Sequence, residues 1–270
     1  MRTSAAAAIA AALAAALSLG GCAALRAPSD EEGLLGSTAV VESYARETGA
    51  RIDVARFSAG RPGGALPEAW KPWIILPGKR MTEYRLVEAG GRVALEADAE
   101  RAASGLVRVL RVDPHSHPFL EWDWRVPALP SGADPRVATR EDAAARVIVS
   151  FHGDLEKLDF ADRAQLRFAK ALSGQALPYA TLMYIWANAL PVGTVVRNPH
   201  TARVRMIVVD SGTRGLGEWI HVRRNLLEDY RRAFGEDPWD VVAIGVMTDS
   251  DNTRGSARAY YGDIVLHEAP

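Results

Sequence analysis

The segment Tyr84–Ala97 reads YRLVEAGGRVALEA, in which two short arms flank the loop Ala89-Gly90-Gly91. In the second arm Val93, Leu95 and Ala97 alternate with the residues between them, a period of two that is typical of a strand with one buried face. A glycine-bearing loop of this length between two such arms predicts a β-hairpin.

The same strand pattern recurs along the chain, and the number of strands favours a jelly-roll fold. Two helices are predicted, Leu158–Leu172 and Arg224–Phe234, and the second ends before Gly235 as a C-cap would require. Many short strands with few helices favour an all-β fold with minor helices, an antiparallel β-sandwich. The further strands are predicted at Gly105–Leu110, Phe119–Val126, Arg146–Phe151, Leu182–Asn188, Arg203–Asp210, Val241–Met247 and Ala257–Leu266.

Composition sets the broad class of protein. The chain has 270 residues, of which 48% are hydrophobic and 24% charged, and its formal net charge is −1. This apolar fraction predicts a folded globular protein and argues against disorder. The near-neutral charge argues against a nucleic-acid partner, because such proteins carry a strong excess of basic residues.

The first 22 residues have the pattern of a bacterial export signal. Arg2 precedes the apolar stretch Ala5–Leu19, which is too short to span a bilayer, and Leu19-Gly20-Gly21-Cys22 follows it. This resembles the lipobox, in which small residues precede a cysteine that is lipidated. We therefore predict a signal peptide over residues 1–21, a lipidated Cys22 that begins a tether over residues 22–52, and a single domain over residues 53–268.

The lipobox also predicts where the protein resides. A lipidated cysteine implies a cell-envelope protein held on a membrane and facing the periplasm, with no second apolar run long enough to cross a bilayer. Ala23 stands after the cysteine, where Asp would typically signal retention in the inner membrane. The outer membrane is therefore the expected location.

The strand Glu121-Trp122-Asp123-Trp124-Arg125 is the most informative for function. A period of two places both tryptophans on one face, which we expect to be core, and Glu121, Asp123 and Arg125 on the other. That charged face is interpreted either as an open ligand-binding surface or as a ladder of ion pairs within the sheet. An enzyme of the laminarinase type would need Glu-x-Asp-x-x-Glu here, and Val126 stands at the last position, so the motif fails.

A second strand adds aromatic and amide groups. Tyr184, Trp186 and Asn188 alternate with Ile185 and Ala187. Sugar rings stack on aromatic side chains and accept hydrogen bonds from amides, so these three residues are predicted to extend the ligand-binding face. The alternative is that Trp186 fills the core.

An oxygen-rich segment raises the question of a structural cation. Asp249, Asp251 and Asn252 are candidate ligands for Ca²⁺, although an EF-hand would need Gly and Glu at the positions held by Arg254 and Tyr260. A turn before the last strand is the alternative. No other cofactor is indicated, because the sequence has neither a glycine-rich phosphate loop nor a nucleophile elbow.

Seven dispersed motifs resemble the bacterial envelope family known as domain of unknown function 3047. They stand at residues 66–72, 82–87, 103–106, 184–188, 192–194, 205–209 and 247–264, and the likeness extends over about residues 53–268. The resemblance implies a fold and no known activity. The closing strand Tyr260–Leu266 also resembles the last strand of galactose-binding-like and carbohydrate-binding jelly rolls.

Three functions remain open at this point. A lipid-anchored protein that binds a glycan or another ligand without catalysis is the first. An enzyme acting on polysaccharide with the carboxylates of the same sheet is the second, and a structural lipoprotein that docks another envelope protein is the third. The sequence does not indicate an oligomeric state.

Overall fold

The computed structural model describes residues 44–173 and 177–268, and it forms a two-layer β-sandwich. The nine predicted strands are all present, and four more strands accompany them. In chain order the elements are β1 (Arg51–Ala55), β2 (Trp70–Ile74), β3 (Glu83–Glu88), β4 (Val93–Glu100), β5 (Ala103–Val112), β6 (Phe119–Arg125), β7 (Arg146–Phe151), α1 (Phe160–Ser173), β8 (Ala180–Ala187), β9 (Val195–Arg197), β10 (Val204–Ser211), β11 (Ile220–Asn225), α2 (Leu226–Phe234), β12 (Val241–Asp249) and β13 (Ser256–His267).

Two sheets make up the sandwich, and this confirms the predicted fold class. The six-stranded sheet has the order β11-β6-β13-β4-β3, with β1 also paired to β13. The seven-stranded sheet has the order β2-β5-β12-β7-β8-β10-β9. One pair differs from the predicted antiparallel arrangement, because β10 lies parallel to β8. The intervening β9 pairs antiparallel with β10 at the sheet edge, so the chain reverses twice between the two parallel strands.

The core between the sheets is built around aromatic side chains. Trp122 and Trp124 of β6 are buried and pack edge to face, with ring centroids 5.5 Å apart. They meet Tyr184 and Trp186 of β8 across the core at 5.2 and 6.1 Å. The tryptophan face of β6 is therefore core, as the alternation predicted.

Three of these four core rings donate a hydrogen bond, whereas the indole N–H of Trp122 has no partner among the described residues. Trp124 donates its indole N–H to Asp210 at 2.8 Å, and Tyr184 donates its hydroxyl to Asp229 at 3.0 Å. Burial raises the pKa of Asp210, and the hydrogen bond from Trp124 opposes that rise. Trp124, Tyr184 and Trp186 are therefore buried with their polar atoms paired.

The chain before β1 already packs on the sandwich. Glu47 pairs with Arg108 at 2.6 Å, and the same guanidinium donates to the backbone carbonyl of Asp53 in the opposite sheet. Arg46 reaches Asp240 at 2.8 Å. The last part of the segment predicted as a tether, residues 46–52, therefore lies against the domain, while residues 1–43, with the predicted signal peptide and Cys22, lie outside the described residues.

Helix α2 begins and ends where its capping residues stand. Asn225 accepts the backbone N–H groups of Leu227 and Glu228, which is the role of an N-cap. At the other end Gly235 has φ of 74°, a left-handed conformation that favours glycine, and its N–H donates to Arg231. No helix among the described residues has both the length and the apolar character that a membrane crossing requires.

Candidate functional site: a charged outer face of the sandwich

The outer face of the six-stranded sheet carries the charged side chains of β6. Burial alternates strictly along this strand, so Glu121, Asp123 and Arg125 point away from the core. We call this surface the ladder face. It is made of Phe119, Glu121, Asp123 and Arg125 of β6, His221 and Arg223 of β11, Arg258, Tyr260 and His267 of β13, Glu96 and Asp98 of β4, Arg85 of β3, and Arg92 and Trp219 at the rim.

The two β6 carboxylates are held by cationic and imidazole groups of neighbouring strands. Glu121 lies 3.2 Å from Arg223 and 3.4 Å from His267. Asp123 lies 2.8 Å from Arg92 and 3.0 Å from His221. The ladder of ion pairs that the sequence analysis offered as one interpretation of this face is therefore present. Both carboxylates remain partly exposed to solvent.

The same pairing continues across the sheet. Glu96 lies 2.6 Å from Arg85 and 3.7 Å from Arg258, and Arg258 also reaches Asp98 at 2.5 Å. The arginine side chains of these pairs are about half exposed. The result is a surface on which hydrogen-bond donors and acceptors alternate from strand to strand.

Three half-buried aromatic rings lie among these charges, and each has a guanidinium over it. Arg92 stands 3.7 Å above Trp219, Arg223 stands 4.3 Å above Phe119, and Arg125 stands 5.8 Å from the ring of Tyr260. The pKa of Tyr260 is raised, chiefly by burial and secondly by the charge of the neighbouring Glu96, so the phenol stays protonated.

These aromatic rings were not named as site residues from the sequence. Phe119 shares the period of two with Glu121, so the alternation of β6 could have found it. Trp219 lies outside every predicted strand, and its indole is held by a hydrogen bond to Ala89 in the β3–β4 hairpin loop. Only the tertiary structure brings that loop over the sheet.

Three buried polar atoms on the ladder face have no hydrogen-bond partner among the described residues: Glu96 Oε2, Arg125 Nε and His267 Nε2. Glu96 and His267 stand at ion-pair distance from Arg85 and Glu121, but without hydrogen-bond geometry. All three atoms are closed to solvent, so a ligand lying on the surface would not contact them directly.

Tyr184 and Trp186 are not part of this face, and the expectation that they extend it is wrong. Both are buried, with exposed fractions of 0% and 1%, and they belong to β8 in the other sheet. Their rings meet those of β6 inside the core. Asn188 is partly exposed at the end of β8, and its amide donates to the carbonyl of Pro130 at 2.7 Å.

The predicted cation ligands meet a buried arginine. Asp249 and Asp251 lie with Asp142, one carboxylate oxygen of each being within 4.8 Å of the others. Arg146 is buried and donates to both oxygens of Asp249, and Lys79 reaches Asp251 at 2.5 Å. Much of the negative charge is therefore already balanced by protein cations, which weakens the case for Ca²⁺.

Asn252 contributes its backbone to this cluster. Its N–H donates to Asp142 at 3.1 Å, as does that of Thr253 at 2.6 Å. A turn does occupy residues 251–254 before β13, but this contact is not a local Asx-type turn, because Asp142 lies 110 residues before Asn252. The cluster is consistent with a structural role at the end of β12.

The family model described as "Protein of unknown function (DUF3047)" matches residues 68–265. The chain belongs to this family. The match confirms the resemblance found in the dispersed motifs, over slightly narrower bounds than predicted. No curated protein matches the chain.

Several solved β-sandwich proteins share a distant likeness with this member of the family. A variant of the carbohydrate binding module CBM29-2 matches with a TM-score of 0.33 and 10% identity, over 81% of this chain and 91% of the other. The xyloglucanase domain of NopAA from Sinorhizobium fredii, in complex with cellobiose, matches with a TM-score of 0.40 and 8% identity, over 77% and 98%. The mannan-recognising module TmCBM27 matches with a TM-score of 0.30 and 10% identity, over 82% and 96%. Likeness at this level transfers no function.

Proposed function

We propose that this DUF3047 protein is a lipid-anchored protein of the bacterial envelope that binds a glycan on the ladder face without catalysis. The observation that carries the proposal is the combination of half-buried aromatic rings and partly exposed charged side chains on one sheet surface. Trp219, Tyr260 and Phe119 supply the rings, and Glu121, Asp123 and Arg258 supply the charged groups.

This combination suits a hydroxyl-rich ligand. A sugar presents C–H faces that pack on aromatic rings and hydroxyls that both donate and accept hydrogen bonds. Guanidinium and carboxylate groups form the stronger, charge-assisted bonds with such hydroxyls. The ladder face extends over five strands, an extent that fits an extended chain of sugars better than a compact small molecule.

The proposal predicts which variants lose glycan binding. The acylated full chain in detergent should bind at least one oligosaccharide on a glycan array. Tyr260→Ala and Asp123→Asn should each weaken that affinity about tenfold, since each removes a stacking ring or a fixed acceptor worth about 1 kcal/mol or more. Isothermal titration with the strongest oligosaccharide measures the loss.

Trp239→Ala is the matched control for the aromatic variant. Trp239 is 46% exposed, lies away from the ladder face beside His152 and Lys157, and should leave affinity unchanged. Equal losses from Tyr260→Ala and Trp239→Ala, or an array without any bound oligosaccharide, would remove the ladder face as a glycan site.

The anchor is tested separately at Cys22, the only cysteine of the chain. Cys22→Ser should abolish incorporation of labelled fatty acid and release the protein from the membrane fraction of cells, because the lipobox thiol is the acylated group. Cys22→Ala should act identically. The predicted lipid anchor would be contradicted if either variant still incorporated the labelled fatty acid, or if the native chain did not incorporate it.

A further inference from the structure

Helix α1 exposes two large apolar side chains on its outward surface. Phe160 and Phe168 are 79% and 64% exposed, and Ala164 lies between them on the same side of the helix and is also exposed. At about 100° per residue the two rings stand within about 80° of each other. Leu166, a buried residue of the helix, lies on the side that faces the sandwich.

Cations flank this apolar strip. Arg167 and Lys170 are exposed, and among the described residues neither has a carboxylate within salt-bridge distance. Arg163 lies beside them and pairs with the exposed Glu156 at 3.1 Å. By helical position this basic strip lies between the phenylalanine strip and Leu166: Arg167 stands about 20° from Phe160, and Lys170 about 40° from Leu166.

A recess beside the helix adds further positive charge. It has a volume of about 270 Å³ and is lined by Gln165 of α1 and by the segment after β9, including Arg197, Asn198 and Thr201. Arg205 lies close by, and its guanidinium donates to the backbone carbonyls of Ala202 and Ala233. Burial, followed by the nearby Arg197 and Arg203, lowers the pKa of Arg205, and Asp162 of α1 opposes that shift.

We infer that α1 is a second membrane contact, a helix whose phenylalanines enter the interface of an anionic phospholipid bilayer while the adjoining cations meet its headgroups. A strip of Phe next to Arg and Lys is the pattern of helices that lie in the membrane plane. Within α1 three cations, Arg163, Arg167 and Lys170, stand against one carboxylate, Asp162. Arg167 and Lys170, which have no salt-bridge partner among the described residues, are the groups that complement a negatively charged lipid layer.

This inference does not depend on acylation of Cys22 or on glycan binding. The test therefore uses the full chain with Cys22→Ser, which has no other thiol, and adds Ala164→Cys for an environment-sensitive fluorophore between the two rings. A second chain carries Val192→Cys, an exposed apolar loop position away from the helix, as the control site.

The label at position 164 should shift to shorter wavelength and become protected from an aqueous quencher on mixed phosphatidylcholine–phosphatidylglycerol vesicles. Pure phosphatidylcholine should give at least about tenfold weaker partitioning, because each cation near a charged surface contributes about a fivefold factor. The label at position 192 should stay in water with both vesicle types.

Two double variants separate the apolar and the charged contributions. Phe160→Ser with Phe168→Ser should reduce partitioning about tenfold or more on either lipid. Arg167→Gln with Lys170→Gln should reduce it about tenfold on anionic vesicles only. All four side chains are exposed, so an unchanged melting temperature is expected of both variants.

A label at position 164 that keeps its aqueous emission on anionic vesicles would overturn the inference. So would a shift that depends on protein concentration and occurs without vesicles, since it would assign the strip to association between copies of the chain.

Discussion

Replacing Arg146 by methionine should lower the free energy of unfolding by about 3–5 kcal/mol, because it leaves buried carboxylates without their counter-ion. Arg146 is buried between Asp249, whose two oxygens it contacts at 2.8–3.2 Å, and Glu141 at 3.0 Å. Burial alone would lower the pKa of Arg146, but the attraction of these two carboxylates outweighs it and the pKa is raised. Chemical denaturation at neutral pH measures the loss.

Arg136→Met is the matched control. Arg136 pairs with Asp134 at 2.8 Å in an exposed loop, and solvent screens such a pair, so its loss should leave stability nearly unchanged. A second variant, Arg146→Met with Asp249→Asn, should recover part of the loss, since it removes one of the uncompensated charges. An Arg146→Met chain as stable as the control would show that the buried pairs do not hold this end of the sandwich together.

The loss in the Arg146→Met chain should also depend on pH. Burial raises the pKa of Asp249 to about 7, and Arg146 opposes that rise, so its removal should raise the pKa further. Such a carboxyl has a higher pKa in the folded chain than in the unfolded chain, where its pKa is about 3.9. Its contribution to stability is fully present at pH below the unfolded-state pKa, and it is lost as the pH rises through the folded-state pKa. The difference in stability between native and variant chains should therefore narrow as pH falls from about 8 towards 5.

Trp186→Ala should cost about 3–5 kcal/mol, the usual loss when a buried tryptophan is truncated. The ring is 1% exposed, packs on Trp124 at 6.1 Å, and donates its indole N–H to Gly212 at 3.0 Å. For a domain of this size the loss corresponds to a fall in melting temperature of about 10 °C.

Trp186→Phe should lose less, because the phenyl ring refills most of the cavity and only the hydrogen bond to Gly212 disappears. Trp239→Ala, at a half-exposed position, should change stability by at most about 1 kcal/mol. A Trp186→Ala chain with a native melting temperature would contradict the placement of β8 in the core and restore Trp186 as a candidate binding residue.

The contrast between β6 and β8 shows what a strand pattern can predict. In β6 buried tryptophans alternate with charged residues, and the assignment of the tryptophans to the core is confirmed. In β8 all eight residues are buried, so neither face presents the polar side chains that mark a solvent-facing surface. Tyr and Trp at alternate positions then resemble a binding strand, although they fill the core.

The buried cluster around Arg146 gave no comparable signal. In the segment RVIVSF the arginine occupies a position that alternation would assign to an outer face. Its burial results from Glu141 in the loop before β7 and from Asp249, which is 103 residues further along the chain. Contacts between residues so distant in sequence leave no local pattern.

The sequence by itself determined nine of the thirteen strands, the hairpin loop at Gly90 and Gly91, the C-cap of α2 and the family, because these depend on neighbours within a few residues. It placed the start of α2 at Arg224, although Arg224 and Asn225 end β11. The tertiary structure alone decided which faces meet, because a period of two assigns a side chain to a face of its own strand and does not say which sheet that strand joins. It placed β6 and β8 in opposite sheets, so the aromatic residues of β8 became core, and it brought Trp219, Tyr260 and the charges of five strands onto one exposed surface.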